Sequence, residues 1–312
     1  MVDRQPSVAL VGCGAWGRLI LRDLVSLRCD VPVVARSPES RGRARAGGAS
    51  RVVPTIGELP RVDGVIVATT TTTHVEVLDE VLDLGVPVFV EKPLCSDAAA
   101  ARRLAAAYPD TLFVMDKWRY HPGVRELARL VRAGELGEPV ALVARRVAWG
   151  NPHQDIDPLW TYLPHDLAIV LDVLGYLPAP RVAAAEVIGG RLTGATVLLG
   201  EQPWVSLEVS TAAPASRREL RVVGETGCAV LDGGYADELL VSRSGPPEGP
   251  PERIDIRGEM PLLAELRAFV EFLQGRGPAP MSPAPDGCAV VELIEEVHRM
   301  IARTAAALVA TG

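Results

Sequence analysis

The sequence predicts an α/β protein: an N-terminal doubly wound parallel sheet, then a C-terminal α+β domain with an open, mainly antiparallel sheet. Three observations predict it. The segment Ser7–Gly17 reads SVALVGCGAWG, an apolar run that breaks into a glycine turn and continues as a helix. Apolar strand-like runs then alternate with helical stretches as far as Trp118. Beyond Val140 the pattern changes, and Trp204–Thr211 (WVSLEVST) alternates apolar with polar residues, as a sheet with one wet face requires.

The elements follow in order. Val8–Gly12 is apolar or tiny, which suits a strand buried on both faces, and Trp16–Leu27 has apolar residues at helical spacing. Val31–Arg36, Val62–Thr70, Val86–Val90 and Thr111–Trp118 are the later strands. His74–Leu84 and Asp97–Ala107 are helices between them, the second with Asp97 as its N-cap. Strands separated by helices imply parallel pairing with right-handed crossovers. After His121-Pro122, Gly123–Arg132 is an amphipathic helix closed by Gly134 or Gly137. Val140–Ala148 is a strand, and Arg218–Asp232 reads as two strands joined at Gly224–Gly227. Ser244–Glu252 (SGPPEGPPE) is a proline-rich loop, and helices at Leu262–Gln274 and Gly287–Leu308 close the chain across the Pro/Gly-rich Gly275–Pro285. The expected boundary places residues 1–120 in the first domain and 121–312 in the second, the C-terminal helix being free to pack back toward the first.

Composition excludes several classes. With 312 residues, 48% hydrophobic and 23% charged, the chain is an ordinary soluble globular protein of about two domains. Its net charge of −7 argues against nucleic acid, which calls for a basic face. No apolar stretch is long enough for a bilayer, and Asp3 and Arg4 precede an apolar run that belongs to the first strand rather than to a signal peptide. The five cysteines are scattered and form no CxxC pair; they read as reduced thiols of a cytoplasmic protein.

Gly12-x-Gly14-x-x-Gly17, between strand and helix, is the dinucleotide fingerprint in its required context. Gly12 permits the tight turn, Gly14 lets the backbone touch a pyrophosphate, and Gly17 lets the helix pack on the strand. Ala15 and Trp16 lie in the same turn, whose free N–H groups face the phosphates. The second strand ends at Arg36, where an acidic residue would bind a ribose 2′-hydroxyl and repel a 2′-phosphate. Arg36, Ser37 and Arg41 suit a phosphate, so NADP(H) is expected over NAD(H), while Arg43 and Arg45 read as a solvated helix face. The strand Val86–Val90 runs into Glu91-Lys92-Pro93, and ligands of doubly wound sheets sit at such carboxyl ends. A lysine there can hydrogen-bond a carbonyl oxygen and stabilise charge that grows on it, or be a surface lysine paired with Glu91.

Taken with these residues, the chain resembles the glucose–fructose oxidoreductase/inositol dehydrogenase (Gfo/Idh/MocA) family over nearly its whole length. The resemblance rests on VGCGAWG, ATTTTTHVEVLDEVLDLGVPVFVEKPL at 68–94, WRYHPGVRELARLVRAGELGEPVAL at 118–142, LPHDLAIVLDVLG at 163–175 and LRVVGETGCAVLDGG at 220–234. It implies a Rossmann domain followed by an open sheet whose exposed face often forms homodimers or homotetramers. It implies that Lys92 contacts the nicotinamide ribose and the reacting oxygen, with Glu91 beside it, and that Thr69, Thr70 and His74 line the cofactor cleft. The unbroken run Thr69–Thr73 departs from the family, which more often has a proline after the threonine.

His165 falls where the family carries its acid/base histidine, at what reads as a helix start, and imidazole suits that role near neutral pH. The family's usual orienting aspartates are replaced by Thr161 and Ala168; Asp166 is adjacent instead. Tyr162 is a spare proton donor. Arg119 and Tyr120, with Trp149, Asn151, His153 and Asp155 of WGNPHQDIDP, are candidates for the substrate pocket. His153, Asp155, Asp157 and His165 fit no standard metal spacing, and no metal is expected. The resulting expectation is hydride transfer on a carbonyl/hydroxyl pair of a sugar, a nucleotide-linked keto sugar or a polyol. An imine reductase, a dinucleotide-binding sensor without turnover, and a redox-assisted elimination or hydrolysis are the alternatives.

Overall fold

The computed structural model describes residues 5–153, 155–243 and 249–311. The chain divides into two compact units, residues 1–117 with 260–288, and residues 118–259 with 289–312.

The first unit is a six-stranded, all-parallel sheet in the order β3-β2-β1-β4-β5-β6. Its strands are β1 (Val8–Val11), β2 (Pro32–Val34), β3 (Arg51–Val53), β4 (Gly64–Val67), β5 (Val88–Glu91) and β6 (Leu112–Met115). The helices α1 (Gly17–Ser26), α2 (Pro38–Ala46), α3 (His74–Leu82) and α4 (Ala98–Ala107) connect them. Asp97 caps α4 by accepting from the Ala100 amide at 2.6 Å. The order reverses between β1 and β4, so the glycine turn after β1 and the threonine run after β4 share the switch point where such sheets take ligands. Every residue of β1, β4 and β6 is buried, which is why they read as continuous apolar runs. The edge strand β3 has the burial pattern exposed, intermediate, buried, and its three residues carry no such signal.

One expectation needs correction. The chain after residue 121 does not belong to the second unit throughout, because residues 260–288 return to the first. The helix α7 (Pro261–Leu273) buries Leu262, Leu266, Phe269 and Val270 in the same core as Leu10, Ile66 and Phe89. Phe269 meets Phe89 of β5 at 5.0 Å between ring centroids. Burying a phenylalanine of this kind contributes about 1.5–3 kcal/mol, enough to hold a helix to a sheet far from it in sequence.

The second unit is an eight-stranded sheet, β14-β13-β12-β11-β7-β10-β9-β8. It is built from β7 (Pro139–Trp149), β8 (Pro180–Ile188), β9 (Arg191–Leu199), β10 (Trp204–Ser210), β11 (Ala212–Gly224), β12 (Gly227–Asp232), β13 (Glu238–Arg243) and β14 (Glu252–Asp255). Only β7 and β10 pair in parallel; the other neighbours are antiparallel. The helices α5 (Pro122–Arg132) and α6 (Pro158–Leu174) pack on it, and α8 (Ala284–Thr311) closes the chain. Val182 pairs with Leu198 across β8 and β9, and both stay exposed, as does Trp204. The proline-rich stretch expected at 244–252 lies outside the described residues over 244–248, as do Asp3, Arg4 and Gln154. No helix among the described residues is long and apolar enough to cross a membrane.

Candidate functional site

In the first unit the glycine turn is held by close approaches. Gly12 has φ +95°, and a Cβ there would stand 2.6 Å from the Ala68 carbonyl oxygen. A Cβ on Gly17 would stand 2.3 Å from the Gly12 oxygen. Gly14 differs: its Cβ would meet nothing within 4 Å, so this backbone faces open space. Ala15 is exposed and no side chain caps α1; the Arg18 and Leu19 amides donate to the Gly14 and Trp16 carbonyls, so the turn and the Gly17 amide ahead of them are what an anion would meet. An open glycine beside an uncapped helix N-terminus at the switch point fits a dinucleotide pyrophosphate.

Trp16 is fixed from two sides. Its indole Nε1–H donates to a Glu91 carboxylate oxygen, and the Lys117 ammonium lies 4.3 Å from its ring centroid. Burial pushes the Glu91 carboxyl up, opposed by the Lys92 charge, the Trp16 N–H and Lys117. Lys92 itself is only 9% exposed. Beneath this strand end lies Glu265 of α7, fully buried, with neither carboxylate oxygen hydrogen-bonded. Burial first, then the Glu91 and Asp116 charges, push its carboxyl well above the usual range.

The threonine run folds as a 3-10 turn, Thr71–Thr73, ahead of α3. The Thr73 hydroxyl meets the Thr70 carbonyl at 2.9 Å and the Thr69 hydroxyl at 3.0 Å, while Thr70 stays exposed. His74 is 1% exposed; its Nδ1 lies 2.9 Å from the Pro93 carbonyl and its Nε2 3.4 Å from the Thr69 carbonyl. Its ring therefore ties the loop after β4 to the Glu91-Lys92-Pro93 loop. Arg36 is exposed just past β2, and Arg41 is half-buried. Ser37 caps α2, its hydroxyl accepting from the Ser40 amide at 3.1 Å. Arg43 is exposed, as a solvated helix face requires, but its Nε also donates to the Cys13 carbonyl at 2.8 Å, bracing the glycine turn.

In the second unit, His165 lies in the middle of α6, not at its start. Tyr162, one turn earlier, shares that helix face and is 8% exposed. Asp166 does not serve His165, because Arg146 of β7 takes it. The Arg146 Nη2 and Nε donate to one carboxylate oxygen at 2.7 and 2.9 Å, and both side chains are buried. Asn151 is engaged within its own loop. Its Oδ1 accepts from the His153 amide and the Thr161 hydroxyl, and its Nδ2 donates to the Ile156 carbonyl, so the amide organises its own loop. Trp149 is 78% exposed, Arg119 is buried with its charge near Asp172, and Tyr120 is half-buried. No group of three or more metal-ligating side chains occurs among the described residues.

The N-terminus of α6 is anchored by Asp157, which accepts from the Leu159 amide at 2.8 Å and meets His298 Nε2 of α8 at 2.8 Å. His298 Nδ1 faces the Ile294 carbonyl at 2.9 Å, and its ring stacks on Trp160 at 5.6 Å. With acceptors at both nitrogens the ring is best satisfied as imidazolium. Desolvation pulls the His298 value down, but the Asp157 bond and charge outweigh it and raise it above the ordinary 6.5. Desolvation likewise works against ionisation of Asp157, yet His298 and the helix amides hold it below 3.8. The raised histidine contributes stability that is complete below pH 6.5 and lost as pH rises through its folded value. The lowered aspartate contributes above pH 3.8 and is lost on acidification. The stability difference between wild type and His298→Gln, read from melting temperatures, should be largest near pH 5 and shrink on either side. A difference independent of pH would remove this pair from the account.

Comparison with known proteins agrees with this architecture. Residues 7–111 match the oxidoreductase family with an NAD-binding Rossmann fold, GFO_IDH_MocA. This match covers about the first third of the chain and, with the relatives that follow, marks it as an oxidoreductase. It is 28% identical over 258 residues to an inositol 2-dehydrogenase of Ralstonia nicotianae, covering 74% of this chain and 75% of that one. It is 25% identical over 288 residues to the UDP-N-acetylglucosamine 3-dehydrogenase of Acidithiobacillus ferrooxidans, covering 86% and 89%. A solved structure of the latter enzyme superposes with a TM-score of 0.82 at 22% identity, covering 96% of this chain and 98% of that one.

Residues that the sequence reading missed share one signal. Leu142, Ala144 and Arg146 alternate along β7, and Arg218, Leu220 and Val222 along β11. An arginine at an inward position of an alternating strand marks a buried polar site. Glu265 breaks the apolar stripe of Leu262, Leu266 and Phe269 in the same way.

Proposed function

We propose that the protein is an NADP(H)-preferring oxidoreductase acting on a hydroxyl/carbonyl pair of a sugar, a nucleotide-linked keto sugar or a polyol. The observation that carries the reading is Lys92, a buried lysine at the carboxyl end of β5, whose neighbour Glu91 is tied to the glycine-turn residue Trp16. The dinucleotide, when bound, supplies or accepts the hydride. Gly12, Gly14, Ala15, Trp16 and Gly17 would hold its pyrophosphate, with Thr69, Thr70 and Glu91 along the same edge. His74 would act by fixing the loops. The Lys92 ammonium donates to the substrate oxygen and stabilises its developing negative charge. His165 delivers the proton to that oxygen in reduction and removes it in oxidation. Relatives named for inositol and for a UDP-linked amino sugar support the substrate class. The exposed Val182, Leu198 and Trp204 share one sheet face and support a homo-oligomer formed there.

The test is loss of NADPH absorbance across a panel of keto sugars and oxidised polyols; no turnover on any of them would leave only a dinucleotide binder. The cofactor preference rests on Arg36, the first exposed side chain after β2. Arg36→Ala should weaken NADPH binding about tenfold or more and leave NADH binding unchanged, measured by fluorescence titration. Equal or tighter NADH binding by the wild type would overturn the preference.

A further inference from the structure

In the second unit two adjacent guanidinium groups, Arg146 and Arg218, have one buried carboxylate, Asp166, beside them among the described residues. Arg146 and Arg218 are direct cross-strand neighbours in the β7–β11 register, with both side chains on the face that carries Ala144 and Leu220. Like charges directly opposite each other destabilise a sheet. Arg146 is answered by Asp166, whose two oxygens both receive its Nε–H. Arg218 is half-buried and has no ion-pair partner and no side-chain hydrogen bond among the described residues. Its guanidinium instead lies 5.4 Å from the Trp118 ring centroid, with Arg146 at 4.8 Å from the same ring.

The surroundings hold Arg218 in this position. The Arg218 side chain packs closely on Gly234, where a Cβ would stand 2.9 Å from its Cδ and 3.0 Å from its Nη1. Trp118 is 4% exposed and is packed by His121 at 5.2 Å and Tyr235 at 6.0 Å. His121 is fixed neutral in its turn: its Nδ1 accepts from the Gly123 amide, which leaves Nε2–H to donate to the Gly234 carbonyl. The charged and titratable groups near Arg218 are Arg146, Asp166, Tyr162 and Tyr235. Desolvation and the Arg146 charge both work against its protonated form. A planar fork of five donors, kept in place, partly dehydrated and unmatched, is a poor structural element and a good anion receptor.

We infer that Arg218 receives an anionic group of the substrate, a carboxylate or a phosphate, through a bidentate contact beside Tyr162. This inference deepens the proposed function: the sugar or polyol taken by the enzyme is charged, as in a sugar acid or a nucleotide-linked sugar. Tyr162 lies one turn from His165 on α6, so the helix that carries the proposed acid/base histidine also borders Arg218. A half-open pocket of about 20 Å³ is lined by both guanidinium groups, Arg146 and Arg218, together with Asp166, Trp118 and Gly234.

The test is isothermal calorimetry on the full chain, saturated with NADP+, using glucuronate and UDP-glucose against glucose. Expected is binding of at least one charged probe about 10- to 100-fold tighter than glucose. That advantage should vanish in Arg218→Gln and be partly kept in Arg218→Lys. Preference for glucuronate alone identifies a carboxylate, and preference for UDP-glucose alone a diphosphate. Equal binding of all three probes, no binding of either charged probe, or an advantage that survives Arg218→Gln overturns the inference. Lys92→Met, in contrast, should abolish turnover and weaken all three probes alike, so that the advantage of the charged probe over glucose is kept. Anion binding through Arg218 without turnover would keep the inference and remove the redox reading, whereas turnover of neutral sugars alone would do the reverse.

Discussion

Replacing Lys92 with alanine should lower turnover by about 10²- to 10⁴-fold while dinucleotide affinity and folding stay close to wild type. The size follows from where the ammonium sits. It is 9% exposed at the end of a fully buried stretch of strand, so its charge acts on an oxygen with little screening by water. Lys92→Met, which keeps most of the apolar stem, should lose the same activity with less structural disturbance. Single-turnover measurements with NADPH, alongside melting curves and dinucleotide titrations, separate chemistry from folding. Near-normal turnover in either variant would remove Lys92 from the reaction.

The second large effect concerns stability. Asp166→Ala should destabilise the protein by about 3–5 kcal/mol, because Arg146 would remain buried without its carboxylate and with Arg218 still beside it. The contrast lies one residue away. Arg145, on the opposite face of β7, pairs with Glu208 at 3.0 Å, but both side chains are more than 40% exposed. Breaking that pair with Glu208→Ala should cost less than about 1 kcal/mol. Urea unfolding of the two variants under identical conditions tests the comparison, and equal costs would show that burial of the Arg146–Asp166 pair carries no special energy.

These predictions draw unequally on sequence and structure. The glycine turn, the strand ending at Lys92 and the Asp97 cap were legible because each depends on neighbours within a few residues. The bracing bonds of Arg43 and Asn151 were not legible because the groups they meet, the Cys13 carbonyl and the Thr161 hydroxyl, lie thirty and ten positions away. His165 was correctly put on a helix but at its start, since Asp157-Pro158, the actual cap and first residue, lay within what read as a loop.

What the chain determined by itself was local: apolar runs flanked by glycines, the parallel sheet they imply, and the chemistry of a lysine at a strand end. Period and turn residues act over one element, and one element can be read alone. What only the tertiary structure decided was long-range pairing. It returned α7 to the first sheet through Phe89 and Phe269, and it gave Asp166 to Arg146 rather than to His165. It also left Arg218 without an ion pair among the described residues. Each outcome depends on which side chains meet across the fold, and burial makes those meetings costly to leave unmatched.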